Sequence, residues 1–202
     1  EIPSDSLQNP SDSEASYSGH KGQGYQVQVM ETFCDDEAAR EKTLNLITHV
    51  QVEPAHNSDA HALMPAIESA KQRGLMPEEL LADSLYGSDD NSQLAVQEGV
   101  NLVAPTMGTP LKDDLSLADF EVSMKNKILS CPEGKAPIAA KTKKERCTVV
   151  FDSVHCKNCH QREHCPAKEG RKFFYLRYTE KEMRIAKRRA YEQTDQFKQR
   201  YR

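Results

Sequence analysis

At 202 residues the chain is long enough for one domain of ordinary size, or one domain with a small insertion. Hydrophobic residues make up 37% of it and the mean hydropathy is -0.75, which implies a modest core with long exposed segments. Nowhere is there an apolar run of about 18 residues, which excludes a membrane-spanning helix, and the opening EIPSDSLQNP has nothing of a secretory signal. The first residue is Glu rather than Met, so the chain reads as a piece of something longer.

The net charge of -4 conceals a division. Residues 1–120 hold 6 Lys and Arg against 21 Asp and Glu, a balance of -15, whereas residues 121–202 hold 21 against 10, a balance of +11. A basic segment of that size either binds phosphates, with an affinity that falls steeply with salt, or is a solvated, ion-paired helix face. The acidic half argues against nucleic acid coating the whole molecule.

In chain order, Glu1 to Ser18 is rich in Ser, Asp, Asn and Pro and lacks any periodicity that could bury a face, which predicts an extended lead-in. From Gly24 to Met30 the residues alternate strictly, Tyr25, Val27 and Val29 against Gln26 and Gln28, the pattern of a half-buried strand with its apolar side inward. Thr32 to Lys42 reads as an acidic connection. Leu46 to Glu53 reads as a second strand, with Thr48, Val50 and Val52 on one side, and it is expected to pair antiparallel with the first.

Pro54 ends that strand, and Asn57, Ser58 and Asp59 offer capping side chains for a helix running towards Arg73. Leu63, Ile67 and Ala70 share one face, and Gly74 closes the helix. Pro65 requires either that the helix begin near Met64 or that its first turn be separate. Leu80 to Ala104 then reads as a complete strand, helix, strand unit. Leu80, Leu81 and Ala82 form the first strand, Ser88 caps a helix that ends at Gly99, and Val100, Leu102 and Val103 form a parallel second strand. Asp83 falls at the carboxyl end of the first strand, the edge of an open α/β sheet where ligands bind; an Asx turn would explain it equally well. Pro105 to Pro110 breaks the structure.

Cys131, Cys147, Cys156, Cys159 and Cys165 lie in the basic half, and Cys34 stands alone upstream. Cys156 and Cys159 form a Cys-x2-Cys knuckle, Cys165 follows six residues later, and Cys131 opens a Pro-Glu-Gly turn. Cys131, Cys156, Cys159 and Cys165 are the best four for a tetrahedral, closed and therefore structural zinc site, with His155, His160 and His164 as alternatives for any one of them. A disulfide framework and free structural thiols are the competing accounts. Finally, Thr179 and Glu182 match a capping box, and Met183, Ala186, Ala190, Phe197 and Tyr201 recur at helical spacing. Lys187, Arg188 and Arg189 occupy much of the surface between them. Phe173, Phe174 and Tyr175, just ahead, read as strand or core residues rather than base-stacking platforms.

Four stretches in order, NPSDSEASYSGHKGQGYQVQ, ITHVQVEPAHNSDAHAL, ADSLYGSDDN and LRYTEKEMRIAKRRAYEQTDQFKQRYR, resemble DDE transposases of bacterial insertion sequences, in the subgroup with a cysteine-rich insertion. The resemblance spans nearly the whole chain. It implies an α/β fold: an RNase H-like mixed sheet lacking its first strand. Residues 1–23 would be a lead-in, 24–120 part of the catalytic core, 121–178 a cysteine-rich insertion, in which the cysteine spacing suggests zinc, and 179–202 a basic helix leading back to the core.

The same resemblance implies metal-dependent phosphodiester cleavage and strand transfer in a bacterial cytoplasm, on transposon ends and target DNA, by a homodimer. Three carboxylates hold two Mg2+ or Mn2+ ions in that family. Only the second maps here, onto Asp83; the first is expected before Glu1 and the third beyond Arg202, so the chain alone is expected to be inactive. His20 and Lys21 match a segment beside the site and, with Lys187, Arg188 and Arg189, are candidate DNA contacts. Asp59 matches a recurrent family aspartate. A zinc-stapled nucleic-acid-binding module without catalysis, an RNase H-like repair or defence nuclease, and a catalytically dead remnant of a mobile element are the alternatives.

Overall fold

A computed structural model describes residues 2–4, 6–34, 36–108 and 114–201, which form two compact units, Glu1–Met107 and Gly108–Arg202. The class is mixed α/β with several small sheets. No helix among the described residues is long and apolar enough to cross a membrane.

The first unit opens with β1 (Ser16–Ser18), inside the expected lead-in, which folds back through Gly19 to Lys21 onto β2 (Gly22–Glu31). A short helix, α1 (Glu37–Arg40), capped by Asp36, sits in the acidic connection. It leads to β3 (Ile47–Pro54), which pairs antiparallel with β2 as expected, Val27 opposite Val52 and Gln26 opposite Glu53.

The orientation of this sheet is the reverse of the expected one. Tyr25, Val27, Val29, Val50 and Val52 are all exposed, Val52 at 62%, while Gln26 is buried at 9%. The polar side is the one covered, because its side chains hydrogen-bond to the segment that follows β3. Alternation had located the strand correctly and assigned the wrong side to the interior, since periodicity reports that two faces differ and not which one is covered.

After a 3-10 turn (Asp59–Ala62) comes α2 (Leu63–Gln72), so the first turn is separate and Pro65 falls within the first turn of the helix proper, where backbone N–H groups have no intrahelical acceptor. Leu63, Ile67 and Ala70 are buried on one face. Gly74 ends it at φ 68° in a Schellman arrangement, with Leu75 N–H donating to Ala70 O at 2.9 Å and Gly74 N–H to Lys71 O at 3.1 Å. Then β4 (Glu79–Leu81), α3 (Asp89–Gln97) and β5 (Asn101–Val103) form the expected crossover unit, β4 parallel to β5. Ile67 and Leu63 pack with Ala95, Val100, Leu102 and Ala104 as the core of this unit.

In the second unit β6 (Glu121–Val122) pairs with β7 (Ile128–Ser130). A four-stranded antiparallel sheet is built from β8 (Ala139–Lys143), β9 (Arg146–Phe151), β10 (Lys168–Glu169) and β11 (Phe174–Thr179) in the order β10-β11-β9-β8, with α4 (Ser153–Lys157) after β9. Phe174, Leu176 and Tyr178 alternate inward from β11 and meet Val149 and Phe151 of β9, Phe120, Ile128 and Met183. The cysteine-rich region therefore has a genuine apolar core. The terminal helix is two helices, α5 (Glu180–Glu192) and α6 (Asp195–Arg200), because Thr194 caps a new start. The capping box of Thr179 and Glu182 forms as expected, and Met183 is fully buried. Of the expected break from Pro105 to Pro110, Thr109 and Pro110 lie outside the described residues, as do Glu1 and Arg202.

Replacing Val27 and Val52 together by Thr is expected to lower binding of an apolar fluorescent dye while leaving thermal stability within about 0.5 kcal/mol of the parent, as at other exposed positions. A loss of several kcal/mol in a melting experiment would mean that this face is covered.

Candidate functional site

Asp83 stands just beyond the carboxyl end of β4, where Ala82 N–H still continues the pairing by donating to Val103 O at 3.1 Å. The chain turns at once: Leu85 N–H donates to Asp83 Oδ1 at 2.8 Å and Tyr86 N–H to Asp83 O at 3.2 Å. The Asx turn is thus real, and it occupies Oδ1 of a carboxylate that is exposed. Gly87 closes the turn against the segment that follows β5. A Cβ there would stand 1.8 Å from Pro105 O, so only glycine permits the approach. Asn91, buried in the first turns of α3, donates from Nδ2 to Tyr86 O at 3.1 Å and to Ala60 O at 2.9 Å, tying this turn to the 3-10 segment.

A polar network runs from Tyr86 along the inward face of β2 and β3. The Tyr86 hydroxyl donates to Gln28 Oε1, and Gln28 Nε2 donates to Asp59 Oδ1 at 2.9 Å. Lys21 Nζ donates to the same Asp59 oxygen at 2.7 Å and to Asn57 O at 2.9 Å, and also reaches Gln26 Oε1. Gln26 Nε2 donates to Glu53 Oε2 at 3.0 Å, and Gln51 Nε2 to Glu53 Oε1 at 2.8 Å. Burial pushes the Tyr86 phenol up to about 12, and the negative charges of Asp59, Asp83 and Glu53 add to the shift. Three carboxylates therefore act on one phenol.

Of the residues expected here, Asp83, Lys21 and Asp59 fall in this region, while His20 is exposed in the turn between β1 and β2. Lys21 is engaged by Asp59 rather than free for phosphate, and Ser58, not Asp59, occupies the N-cap position of the 3-10 turn. Tyr86, Gln28 and Glu53 were not singled out from the sequence. Tyr86 lay inside the quoted segment around Asp83, but the two others looked like the solvent side of strands. Among the described residues no three His, Cys, Asp or Glu side chains form a group that could hold a metal ion as they stand.

In the second unit the basic residues divide. Lys187 is exposed and donates to Asn126 Oδ1 at 2.6 Å, whereas Arg188 and Arg189 are half-buried, so the three do not make the uniformly wet face that helical spacing suggests. The cysteines divide too. Cys131, Cys156, Cys159 and Cys165 line one pocket of about 30 Å³, with Arg162, Phe120, Phe151 and Phe174 around them. Burial pushes the Cys156 thiol up to about 11, and Cys165, Cys131 and Cys159 add to that shift while Arg162 opposes it. Cys147 lies elsewhere, 3.3 Å from Thr142 Oγ1 across the β8–β9 hairpin. His155 is exposed; His160 and His164 are exposed beside carboxylates, 3.4 Å from Glu133 and 3.4 Å from Asp114.

Comparison with protein-family models, with curated proteins and with solved structures gives no match to this chain.

Because the folded chain holds the Tyr86 proton up to about pH 12 and an unfolded tyrosine releases it near 10, the folded state binds the extra proton between those values. Stability from this group is therefore complete below pH 10 and is lost as pH rises towards 12. In an alkaline absorbance titration, Tyr86→Phe should remove one late-ionising phenol and flatten this part of the stability profile. An unchanged late phase would contradict the network.

Proposed function

We propose that the chain is part of a DDE-type DNA transposase of a bacterial insertion sequence, contributing Asp83 to a centre for phosphodiester cleavage and strand transfer. The observation that carries the reading is the position of Asp83, fixed by a tight turn at the carboxyl end of the parallel β4–α3–β5 unit. The division of the strands supports it: a mixed sheet lacking one interior strand would fall into an antiparallel part and a parallel pair, which is how β1-β2-β3 and β4-β5 occur. On this reading such a division is what an RNase H-like arrangement would leave without its first strand.

The residues at hand fit only part of such a centre. Divalent ions, Mg2+ or Mn2+, bind hard oxygen ligands, and a pair of them would supply charge stabilisation at the phosphate. Asp83 offers one carboxylate, Asp59 is neutralised by Lys21, and Glu53 is held by Gln26 and Gln51. The resemblance assigns the remaining two carboxylates to positions outside residues 1–202. On this reading Asp83 presents one carboxylate from a rigid turn, and the Lys21–Asp59–Gln28–Tyr86 network keeps that turn in position. DNA ends and target are the substrates, a homodimer in the bacterial cytoplasm is the working form, and Lys187 is the exposed one of Lys187, Arg188 and Arg189, which would contact phosphate by exchanging its bond to Asn126.

The 202-residue chain by itself should bind duplex DNA in a salt-sensitive way and leave its phosphodiester bonds intact in Mg2+ or Mn2+. In the longer protein that the resemblance implies, Asp83→Asn should lower strand transfer by roughly 10²- to 10³-fold, the scale of one charge-stabilising group, with DNA binding retained. Nicking by the chain alone, or full strand transfer by the Asn variant, would remove the reading.

A further inference from the structure

The four cysteines that line the pocket of the second unit come from two separate pieces of chain. Cys131 is held in a turn in which Gly134 N–H donates to Cys131 O at 2.8 Å and Cys131 N–H to Lys135 O at 2.9 Å. Gly134 takes φ 71°, a conformation that this turn requires and that favours glycine. Cys156 is in the short α4, and successive turns follow it: Cys159 N–H donates to Cys156 O at 3.4 Å, Arg162 N–H to Cys159 O at 3.1 Å and Cys165 N–H to Arg162 O at 3.4 Å. Two turn segments facing each other with two or more thiols between them is the construction of a closed tetrahedral site.

The surroundings fit thiolate ligands. The Arg162 guanidinium, 4.6 Å from the centroid of the Phe174 ring and 3.3 Å from Ala167 O through Nη1, brings positive charge beside the thiols. Four thiolates on one divalent ion leave a net charge of about -2 by this count, which Arg162 offsets in part. The pocket that the four sulfurs line has about 30 Å³ of free volume, above the roughly 10–15 Å³ that one water needs by the same kind of measure, so it has room for a single ion. As they stand they are not drawn together, as the absence of a metal-holding group among the described residues records.

We propose that Cys131, Cys156, Cys159 and Cys165 form one structural zinc site of four sulfurs, without a histidine ligand, that pins the end of the β9–β11 sheet. His160 and His164 are turned to carboxylates and His155 to solvent; none lines the pocket. With four protein sulfurs the coordination is complete, and no position remains open for substrate. The site stands independently of the strand-transfer reading, since nothing in it involves Asp83.

The test is a Co2+ titration of the 202-residue chain, kept reduced with a phosphine, followed by displacement with Zn2+. One equivalent should produce the intense visible bands of tetrahedral thiolate coordination, and zinc should abolish them. Cys131→Ser and Cys159→Ser should each weaken binding more than about tenfold, while Cys34→Ser, Cys147→Ser and His160→Asn should leave it unchanged. Because a ligand variant can also fail to fold, alkylation of the unaltered chain is mapped with and without zinc. Zinc should shield those four thiols and leave Cys34 and Cys147 reactive. Absence of the tetrahedral bands in a folded chain, shielding of a different set, or loss of binding in the His160 variant would overturn the assignment.

Discussion

The Asp59 carboxylate organises the first unit. It lies in the segment after β3, yet both of its side-chain donors come from β2 and the turn before it: Gln28 at 2.9 Å and Lys21 at 2.7 Å. A carboxylate with its side chain only 17% exposed needs such partners, since leaving it without them costs about 1 to 3 kcal/mol or more. Meeting that requirement turns the glutamines of β2 inward. Gln26 and Gln28 then carry the network on to Glu53 and to the Tyr86 hydroxyl. The exposure of Val27, Val29, Val50 and Val52 is the other side of the same constraint, because a strand that presents its polar face to the interior must present its apolar one outward.

The network ends at the turn that holds Asp83, and the turn is fixed from three directions. Its own Asx bond sets the backbone, Asn91 binds Tyr86 O, and Gly87 abuts the Pro105 carbonyl with no room for a side chain. Such rigidity suits a ligand-bearing carboxylate, which must keep its geometry without help from packing, since Asp83 is exposed. It also suits a purely structural turn. What favours chemistry is the combination with position: the carboxyl end of a parallel strand, close to a phenol on which Asp59, Asp83 and Glu53 all act.

The second unit is held differently. Its sheet buries Phe174, Leu176 and Tyr178 from one strand against Val149 and Phe151 of the next, and Met183 closes the core from α5. The pocket of four cysteines lies against that core, bordered by Phe120, Phe151 and Phe174. Zinc is therefore not needed to create an interior here, as it would be in a loop-rich insertion without apolar residues. Its contribution would be local, joining the Cys131 turn to the segment after α4.

Residue chemistry with short range was decided by the sequence alone. Ser88 and Thr179 cap helices and Gly74 and Gly99 end them, because capping and left-handed backbone depend on a few neighbouring residues. The strand, helix, strand order around Asp83 was legible for the same reason, as was the Cys-x2-Cys knuckle. Only tertiary structure decided which face of the β2–β3 hairpin is covered, since that depends on Asp59 and Tyr86, 31 and 58 residues beyond Gln28 in the chain. It alone separated Lys187 from the half-buried Arg188 and Arg189. Spacing along a chain orders side chains on one element; what those elements meet is fixed by distant residues, through burial and hydrogen bonds that no local pattern records.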